Sequence, residues 1–146
     1  ALEAYPMNIR AYTQDDFATL QRWAEARSID PSTLILSPNG FVAEDSRGPI
    51  AMVWVFLVFD APFVIVDNFF SRPQSSVRQV KDSWAILFRV IRGFLGNLRD
   101  CKGNAIKYPL IRTYCRAELG KFFKEDGWKV AEHPSLQITY ALSPPQ

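Results

Sequence analysis

Histidine and cysteine are scarce in this sequence of 146 residues, which contains one histidine and two cysteines. His133 is followed directly by Pro134 and has no second histidine to join, so we expect neither a metal site nor a Ser-His-Asp triad. A lone cysteine pair in a chain with no other sign of export is typical of reduced thiols. We therefore expect Cys101 and Cys115 to be packing residues of a cytoplasmic protein.

Excess charge and long apolar runs are also missing. The formal net charge of +2 is smaller than is usual for a dedicated nucleic-acid-binding domain. The longest apolar run, residues 50–59, is too short to cross a bilayer. We therefore expect a soluble protein without a membrane partner, and nucleic acid is disfavoured. The sequence contains one group of basic residues that could contact nucleic acid, Arg89, Arg92, Arg99 and Lys102. Their pattern is more typical of a solvated helix face than of a nucleic-acid site.

Glycine is sparse, and the stretch FFSRPQSSVRQVKDSW (residues 69–84) has none. It leads from an apolar strand into an amphipathic helix through a polar, basic turn. Unpaired N–H groups and the helix dipole favour an anion at such a helix start. Ser75 and Ser76 can cap the helix, and Arg72, Arg78 and Lys81 supply positive charge. The turn is therefore a candidate phosphate site; the alternative is a solvated helix start.

Hydrophobic periodicity predicts the order β-α-β-β-β-α-β-α-β-β. The predicted strands are residues 8–12, 41–45, 49–59, 63–70, 104–108, 127–133 and 136–142, and the predicted helices are residues 15–26, 77–95 and 118–125. Residues 49–59 are apolar at successive positions, which is typical of a central strand covered on both faces. We expect residues 1–6 to be a leader from expression and residues 7–146 to form a single domain.

Two segments carry a resemblance to a known family. LGKFFKEDGWKV (residues 119–130) resembles the C-terminal helix, turn and strand of the GNAT N-acetyltransferase superfamily, and GFVAEDSRGPIAMVWVFL (residues 40–57) resembles its second and third strands. The compact N-terminal helix is similar to that of small, phage-type members. The resemblance implies an α/β (α+β) fold with a mixed, mostly antiparallel sheet of six to seven strands and about three to four helices on both faces.

The resemblance also implies acetyl-CoA as co-substrate, held in a cleft beside the strand at residues 63–70. The family's phosphate loop carries two glycine or alanine positions after an Arg or Gln. The corresponding residues here are Ser76, Val77, Gln79 and Lys81, so both glycine positions carry side chains. The implied CoA-contacting residues are Phe69, Phe70, Ser71, Arg72, Ser75, Ser76, Val77, Arg78, Gln79, Val80, Lys81 and Phe123.

Acetyl transfer to an amine needs a base and a donor for the developing oxyanion. Asp67, in the otherwise apolar segment FVIVDNFF, is the candidate base, because desolvation would raise the pKa of its carboxyl group. The alternative is that Asp67 or Asn68 marks a strand bulge and bonds a nearby backbone group. The oxyanion donor would be a backbone N–H near Phe69 or Phe70.

The leaving thiolate also takes up a proton, and the family's usual acid is a tyrosine. Phe123 occupies that position here and cannot transfer a proton. Tyr108 and Tyr114 are the candidate substitutes, and the alternative for each is an aromatic side chain packed at the end of an element.

Two functions agree with these observations. The first is an acetyl-CoA-dependent N-acyltransferase acting on an amine of a small molecule or protein, as the element order and the basic strand–turn–helix indicate. The second is a GNAT-fold interaction protein with reduced or lost catalysis, for example a phage protein that modulates a host enzyme in the host cytoplasm. The glycine-free loop and Phe123 favour the second function. A homodimer is implied by the resemblance alone.

Overall fold

A computed structural model describes residues 7–116 and 119–131, together with residues 133, 138, 140 and 142. The chain divides into two compact units, of which the first ends at Thr113 and the second starts at Tyr114. The first unit contains a five-stranded sheet in the order β1-β2-β3-β4-β5. Its strands are β1 (Asn8–Ala11), β2 (Asn39–Asp45), β3 (Gly48–Leu57), β4 (Phe63–Ser71) and β5 (Leu110–Thr113). Neighbours from β1 to β4 are antiparallel, whereas β4 and β5 are parallel.

Two helices of the first unit, α1 (Phe17–Glu25) and α2 (Val77–Gly96), pack on opposite faces of this sheet. Each buries one stripe of apolar side chains and leaves its charged side chains exposed, as expected of amphipathic helices. The buried apolar residues are Leu20, Trp23 and Ala24 of α1 and Leu87 and Ile91 of α2. Helices on both faces of a mixed, mostly antiparallel sheet confirm the predicted fold class.

The strand β3 lies at the centre of the sheet, and its residues 50–55 are all buried. Successive side chains of a strand point to opposite faces. Val53 and Val55 therefore join the core beneath α2, while Met52 and Trp54 join the core beneath α1. The prediction of a central strand covered on both faces is confirmed.

The predicted strand at residues 104–108 is wrong. After α2 the chain forms a small loop whose only ladder pairing is an isolated bridge between Arg99 and Ala105. The Asp100 carboxylate accepts from the N–H groups of Lys102 and Asn104 at 2.8 and 2.9 Å, which closes the loop. The parallel strand begins only at Leu110, so the described residues contain five strands rather than six to seven.

The second unit contains a helix, α3 (Gly120–Glu125). Gly127 ends it with a φ of 88°, and the Trp128 N–H donates back to the Phe123 carbonyl at 2.9 Å. The predicted strand at residues 127–133 is absent from its described residues, which run from 127 to 131 and include 133. The predicted final strand at residues 136–142 lies mostly outside the described residues, and so does the predicted leader at residues 1–6.

Both cysteines were expected to be packing residues, but Cys101 and Cys115 are exposed. Cys101 lies in the loop after α2 rather than on a core-facing element. No helix of the described residues is long and apolar enough to cross a membrane. No group of three or more His, Cys, Asp or Glu side chains in the same part of the chain is arranged to hold a metal ion.

Candidate functional site

The strand β4 continues past the end of its parallel neighbour β5. Their pairing runs from Phe63 with Leu110 to Val66 with Thr113. At the last pair the Thr113 hydroxyl donates to the Val66 carbonyl at 2.8 Å. Residues 67–71 of β4 therefore have no partner in β5, and among the described residues this edge of β4 is open from Asp67 onwards.

A bulge lies at the start of the open segment. Between the pairs Trp54–Asp67 and Met52–Phe70, β4 carries one residue more than β3. Asn68 adopts a φ of 58°, and its Nδ2 donates to a backbone carbonyl in the loop before β2 at 2.7 Å. The alternative in which Asn68 marks a strand bulge and bonds a backbone group is confirmed.

The extra residue changes the face on which the following side chains lie. Before the bulge, Val66 belongs to the core beneath α2. After it, Phe69 packs on that same face against Trp84, with ring centroids 5.3 Å apart, and Phe70 is buried beneath α1. Regular alternation would have placed Phe70 beneath α2. The bulge leaves the backbone of Asn68 and Phe69 without a cross-strand partner in β3, where the sequence predicts the oxyanion donor.

Asp67, the predicted base, immediately precedes the bulge and lies opposite Trp54 in the ladder. Alternation places its side chain on the α1 face, away from α2. The side chain is partly exposed, so it is less desolvated than its apolar sequence neighbours indicate. Its role as a base stays a prediction.

Arg72, predicted to contact phosphate, binds the protein itself. Its Nη2 and Nη1 donate to Asp45 Oδ1 and Oδ2 at 3.0 and 3.3 Å, its Nε donates to the Pro49 carbonyl at 3.0 Å, and its Nη2 also donates to the Gly48 carbonyl at 3.0 Å. The guanidinium holds the pKa of Asp45 below its usual value of 3.8. Because four of its five N–H groups are used, Arg72 anchors the end of β4 to the β2–β3 turn.

Two of the predicted contact serines are also engaged within the protein. The carbonyl and hydroxyl oxygens of Ser71 accept from Arg27 Nη2 at 2.7 and 3.1 Å, which ties the end of β4 to the turn after α1. The Ser75 hydroxyl donates to the Arg72 carbonyl at 2.6 Å. Ser75 therefore shapes the turn and does not cap the helix.

Ser76 is the cap of α2, as predicted. Its Oγ accepts from the Gln79 N–H at 3.1 Å, and Gln79 Oε1 accepts from the Ser76 N–H at 2.9 Å. Between them, the N–H groups of Val77 and Arg78 have no acceptor within the described residues. An anion at the start of α2 would bind these two N–H groups.

The side chains of the first turn of α2 differ in their surroundings. The side chain of Val77 is 71% exposed. Arg78 lies 3.9 Å from Asp82 in an exposed ion pair, and Lys81 is also exposed. Val80 is partly buried, and its carbonyl accepts from the Ser83 hydroxyl at 2.9 Å. Two exposed cationic side chains therefore lie within one turn of the two unpaired N–H groups along α2.

Three residues that the sequence did not predict, Arg47, Pro73 and Gln74, lie beside this helix start. A cleft of about 200 Å³ is lined by Arg47, Arg72, Pro73, Gln74, Ser75 and Gln79. Arg47 belongs to the β2–β3 turn, and Gln74 adopts a φ of 66° in the turn after β4. The meander itself indicates this neighbourhood, because antiparallel pairing places the start of β3 beside the end of β4.

The structure does not bring Tyr108 together with Asp67. Tyr108 precedes β5, and its hydroxyl donates to the Val58 carbonyl at 3.0 Å. Asp67 lies four residues beyond Phe63, the partner of the first residue of β5. The Tyr108 hydroxyl lies beside Val58, which is four residues from Trp54, the partner of Asp67, so it is roughly 13 Å from Asp67 along the sheet.

Tyr114 and Phe123 belong to the second unit. Tyr114 follows β5 directly, and its side chain is 62% exposed. Phe123 packs edge-on against Trp128, with ring centroids 5.5 Å apart. The participation of either residue in a site of the first unit stays a prediction.

Comparison with known proteins identifies the fold. No family model and no curated protein matches the chain. A possible acetyltransferase from Clostridium difficile 630 matches with a TM-score of 0.60 at 12% identity, over 92% of this chain and 98% of that one. A GCN5-related N-acetyltransferase from Ralstonia eutropha JMP134 matches with a TM-score of 0.56 at 19% identity, over 91% and 99%. N-acetylglutamate synthase from Neisseria gonorrhoeae, complexed with coenzyme A and L-arginine, matches with a TM-score of 0.58 at 15% identity, over 92% of this chain and 30% of that one.

The chain therefore has the GNAT fold, as the resemblance in its sequence implies. At these identities the likeness establishes the architecture, and activity has to be argued from the site.

Proposed function

We propose that this protein is an acetyl-CoA-dependent N-acyltransferase that transfers an acetyl group to an amine of a small molecule or protein. The observation that carries the proposal is the open edge of β4. This strand leaves β5 at Val66, bulges at Asn68 and leads directly to the start of α2, where two N–H groups lack an acceptor.

The strand, bulge and helix start fit the two anionic groups of the reaction, which are the pyrophosphate of CoA and the oxyanion of the reacting carbonyl. The N–H groups of Val77 and Arg78 would hold the pyrophosphate of CoA at the positive end of the α2 dipole. The backbone of the bulge at Asn68 and Phe69 would stabilise the oxyanion, and Asp67 would accept the proton of the attacking amine. The C–N bond to the amine would form as the C–S bond of the thioester breaks, and CoA would leave as a thiolate. We also propose that the protein acts in the cytoplasm and forms a homodimer.

Calorimetric titration with acetyl-CoA and with CoA tests the binding step. A micromolar dissociation constant, about 8 kcal/mol, would support the proposal. Arg78→Glu with Lys81→Glu should abolish binding, because it places two anions where the pyrophosphate would lie. Acidic side chains near the N-terminus of a helix interact favourably with the helix dipole, so we expect this variant to fold. Arg22→Glu is the control for a charge reversal, since the Arg22 side chain is exposed on α1 and donates to the Thr19 hydroxyl at 3.1 Å.

A second pair of variants tests the chemistry. Asp67→Asn should leave CoA binding nearly intact and slow transfer to an amine acceptor ~100-fold or more, as is usual for loss of a general base. Equal transfer rates in the wild type and Asp67→Asn would remove Asp67 from the mechanism.

The capping box favours a second candidate function, an interaction protein in which catalysis is weakened or lost. Ser76 and Gln79 satisfy each other's N–H groups, so half of the donors at this helix start are withdrawn from an anion. Gln79 also brings a side chain to a position where the family has glycine. Absence of acetyl-CoA binding at millimolar concentration would support this function, with a host enzyme as the partner if the chain is phage-encoded.

A further inference from the structure

A second concave surface lies at the end of the sheet where β4 and β5 begin. Residues 67–71 of β4 lie at the other end. The concave surface is a groove of about 910 Å³ between the last turns of α2, the loop that follows and the start of β5. We call it the basic groove, and its main lining residues are Arg92, Leu95, Arg99, Lys107, Tyr108 and Ile111. It lies at and before the start of β5, whereas the proposed acetyl-CoA site lies beyond the last pair of β4 and β5, Val66 with Thr113, so the two are distinct.

The basic groove concentrates positive charge that the described residues do not neutralise. Arg92, Arg99 and Lys107 all line it, and no carboxylate does. None of the three forms an ion pair within the part of the chain that the structure describes. Arg10 and Arg72, by contrast, each bond a carboxylate. Unpaired like charges around one concavity create a positive potential that attracts an anionic partner.

The cations of the groove are held on a framework of hydrogen bonds. The Asp100 carboxylate accepts from backbone N–H groups of its own loop, so it is engaged there. The bridge between Arg99 and Ala105 fixes one wall of the groove. Tyr108 fixes the floor, because its hydroxyl donates to the Val58 carbonyl at 3.0 Å. A preformed groove of this kind binds with less loss of conformational entropy than a mobile surface.

The apolar part of the lining decides between two classes of anionic partner. Leu95, Tyr108 and Ile111 lie among the three cations. A nucleic acid would neutralise the cations and could stack a base on Tyr108, but it would leave the aliphatic Leu95 and Ile111 without a partner. A peptide segment with alternating acidic and apolar side chains would satisfy both.

We propose that the basic groove binds an acidic segment, rich in Asp, Glu and large apolar residues, on a partner protein. This interaction does not depend on acetyl-CoA. It would serve an acyltransferase that docks a protein acceptor and an interaction protein equally well.

Selection from a displayed library of random peptides tests the proposal with the full chain as bait. Peptides that bind the wild type should be enriched in Asp and Glu together with Leu, Ile or Phe. The variant Arg92→Glu/Arg99→Glu/Lys107→Glu should bind a synthetic copy of an enriched peptide at least about tenfold more weakly. Arg22→Glu makes the same kind of charge change on α1 and should bind it as the wild type does.

Two further measurements keep the result interpretable. The milder variant Arg92→Gln/Arg99→Gln/Lys107→Gln should give an intermediate loss with an unchanged melting temperature, which separates lost charge from lost folding. A single-stranded oligonucleotide serves as competitor. The proposal is overturned if no peptide is enriched, if the enriched peptides are neutral or basic, if the charge-reversed variant binds as well as the wild type, or if the oligonucleotide binds the groove more tightly than the peptide does.

Discussion

Removal of the Arg72 guanidinium gives the sharpest test of how the end of β4 is held. In Arg72→Met the apolar stem is kept and all hydrogen bonds to the β2–β3 turn are lost. Asp45 then loses its cationic partner, and the carbonyls of Gly48 and Pro49 lose their donors. The side chains of Arg72 and Asp45 are 23% and 14% exposed, so water replaces these bonds only in part.

We expect Arg72→Met to lower the free energy of unfolding by about 2–3 kcal/mol. Hydrogen bonds to charged groups contribute about 1.5–3 kcal/mol each, and partial exposure keeps the total well below the sum of four. Asp45→Ala should cost about 1–2 kcal/mol, because Arg72 keeps its two carbonyl acceptors. The double variant should show a coupling of about 1 kcal/mol between the two residues.

Urea unfolding followed by tryptophan fluorescence measures these differences, since Trp23 and Trp54 are buried in the core beneath α1. Arg78→Met is the control, because it removes an exposed pair with Asp82 at 3.9 Å. Such a pair contributes only about 0.3–0.5 kcal/mol. The anchoring role of Arg72 is refuted if Arg72→Met costs no more than Arg78→Met, or if the effects of the Arg72 and Asp45 substitutions are additive.

Two other predictions concern the core and the response to pH. A Cβ on Gly40 would lie 2.4 Å from Nε1 of the fully buried Trp54. Gly40→Ala should therefore cost about 2–3 kcal/mol in urea unfolding, whereas Gly93→Ala, in open space on α2, should stabilise by about 0.5–1 kcal/mol; equal effects would contradict the packing. Arg10, which bonds Asp16 at 2.7 and 2.8 Å, holds the pKa of that carboxyl below its usual 3.8. The stability from this pair is present above pH 3.8 and is lost as the pH falls through the lower folded-state pKa, so the unfolding free energy of Asp16→Asn should fall less steeply on acidification; parallel curves for the two proteins would argue against the pair.

The local patterns of the sequence predicted a large part of the fold. The apolar run at residues 50–55 identified the central strand because only a strand covered on both faces is apolar at every position. The start of α2 at Val77 was predicted because its apolar side chains have helical spacing and a serine precedes them, and in the structure Ser76 caps the helix together with Gln79. These features depend on neighbours in the chain, which the sequence displays directly.

The prediction of a strand at residues 104–108 was wrong because of another local interaction. The short apolar segment is compatible with a strand, but the Asp100 carboxylate closes the preceding loop through backbone N–H groups. A few apolar residues are a weaker signal for a strand than such a closed loop is against one. The strand therefore begins later, at Leu110.

The sequence by itself determined the class of fold, the central strand and the capped start of α2, because each of these follows from periodicity or from residues close together in the chain. Only the tertiary structure decided which side chains of the turn remain available to a ligand. Arg72 donates hydrogen bonds to Asp45, which lies at the end of β2. Arg92 of α2 and Lys107 of the following loop line the same groove. Such contacts join residues far apart in sequence, and their geometry is fixed by strand register, by the bulge at Asn68 and by the packing of α2 on the sheet.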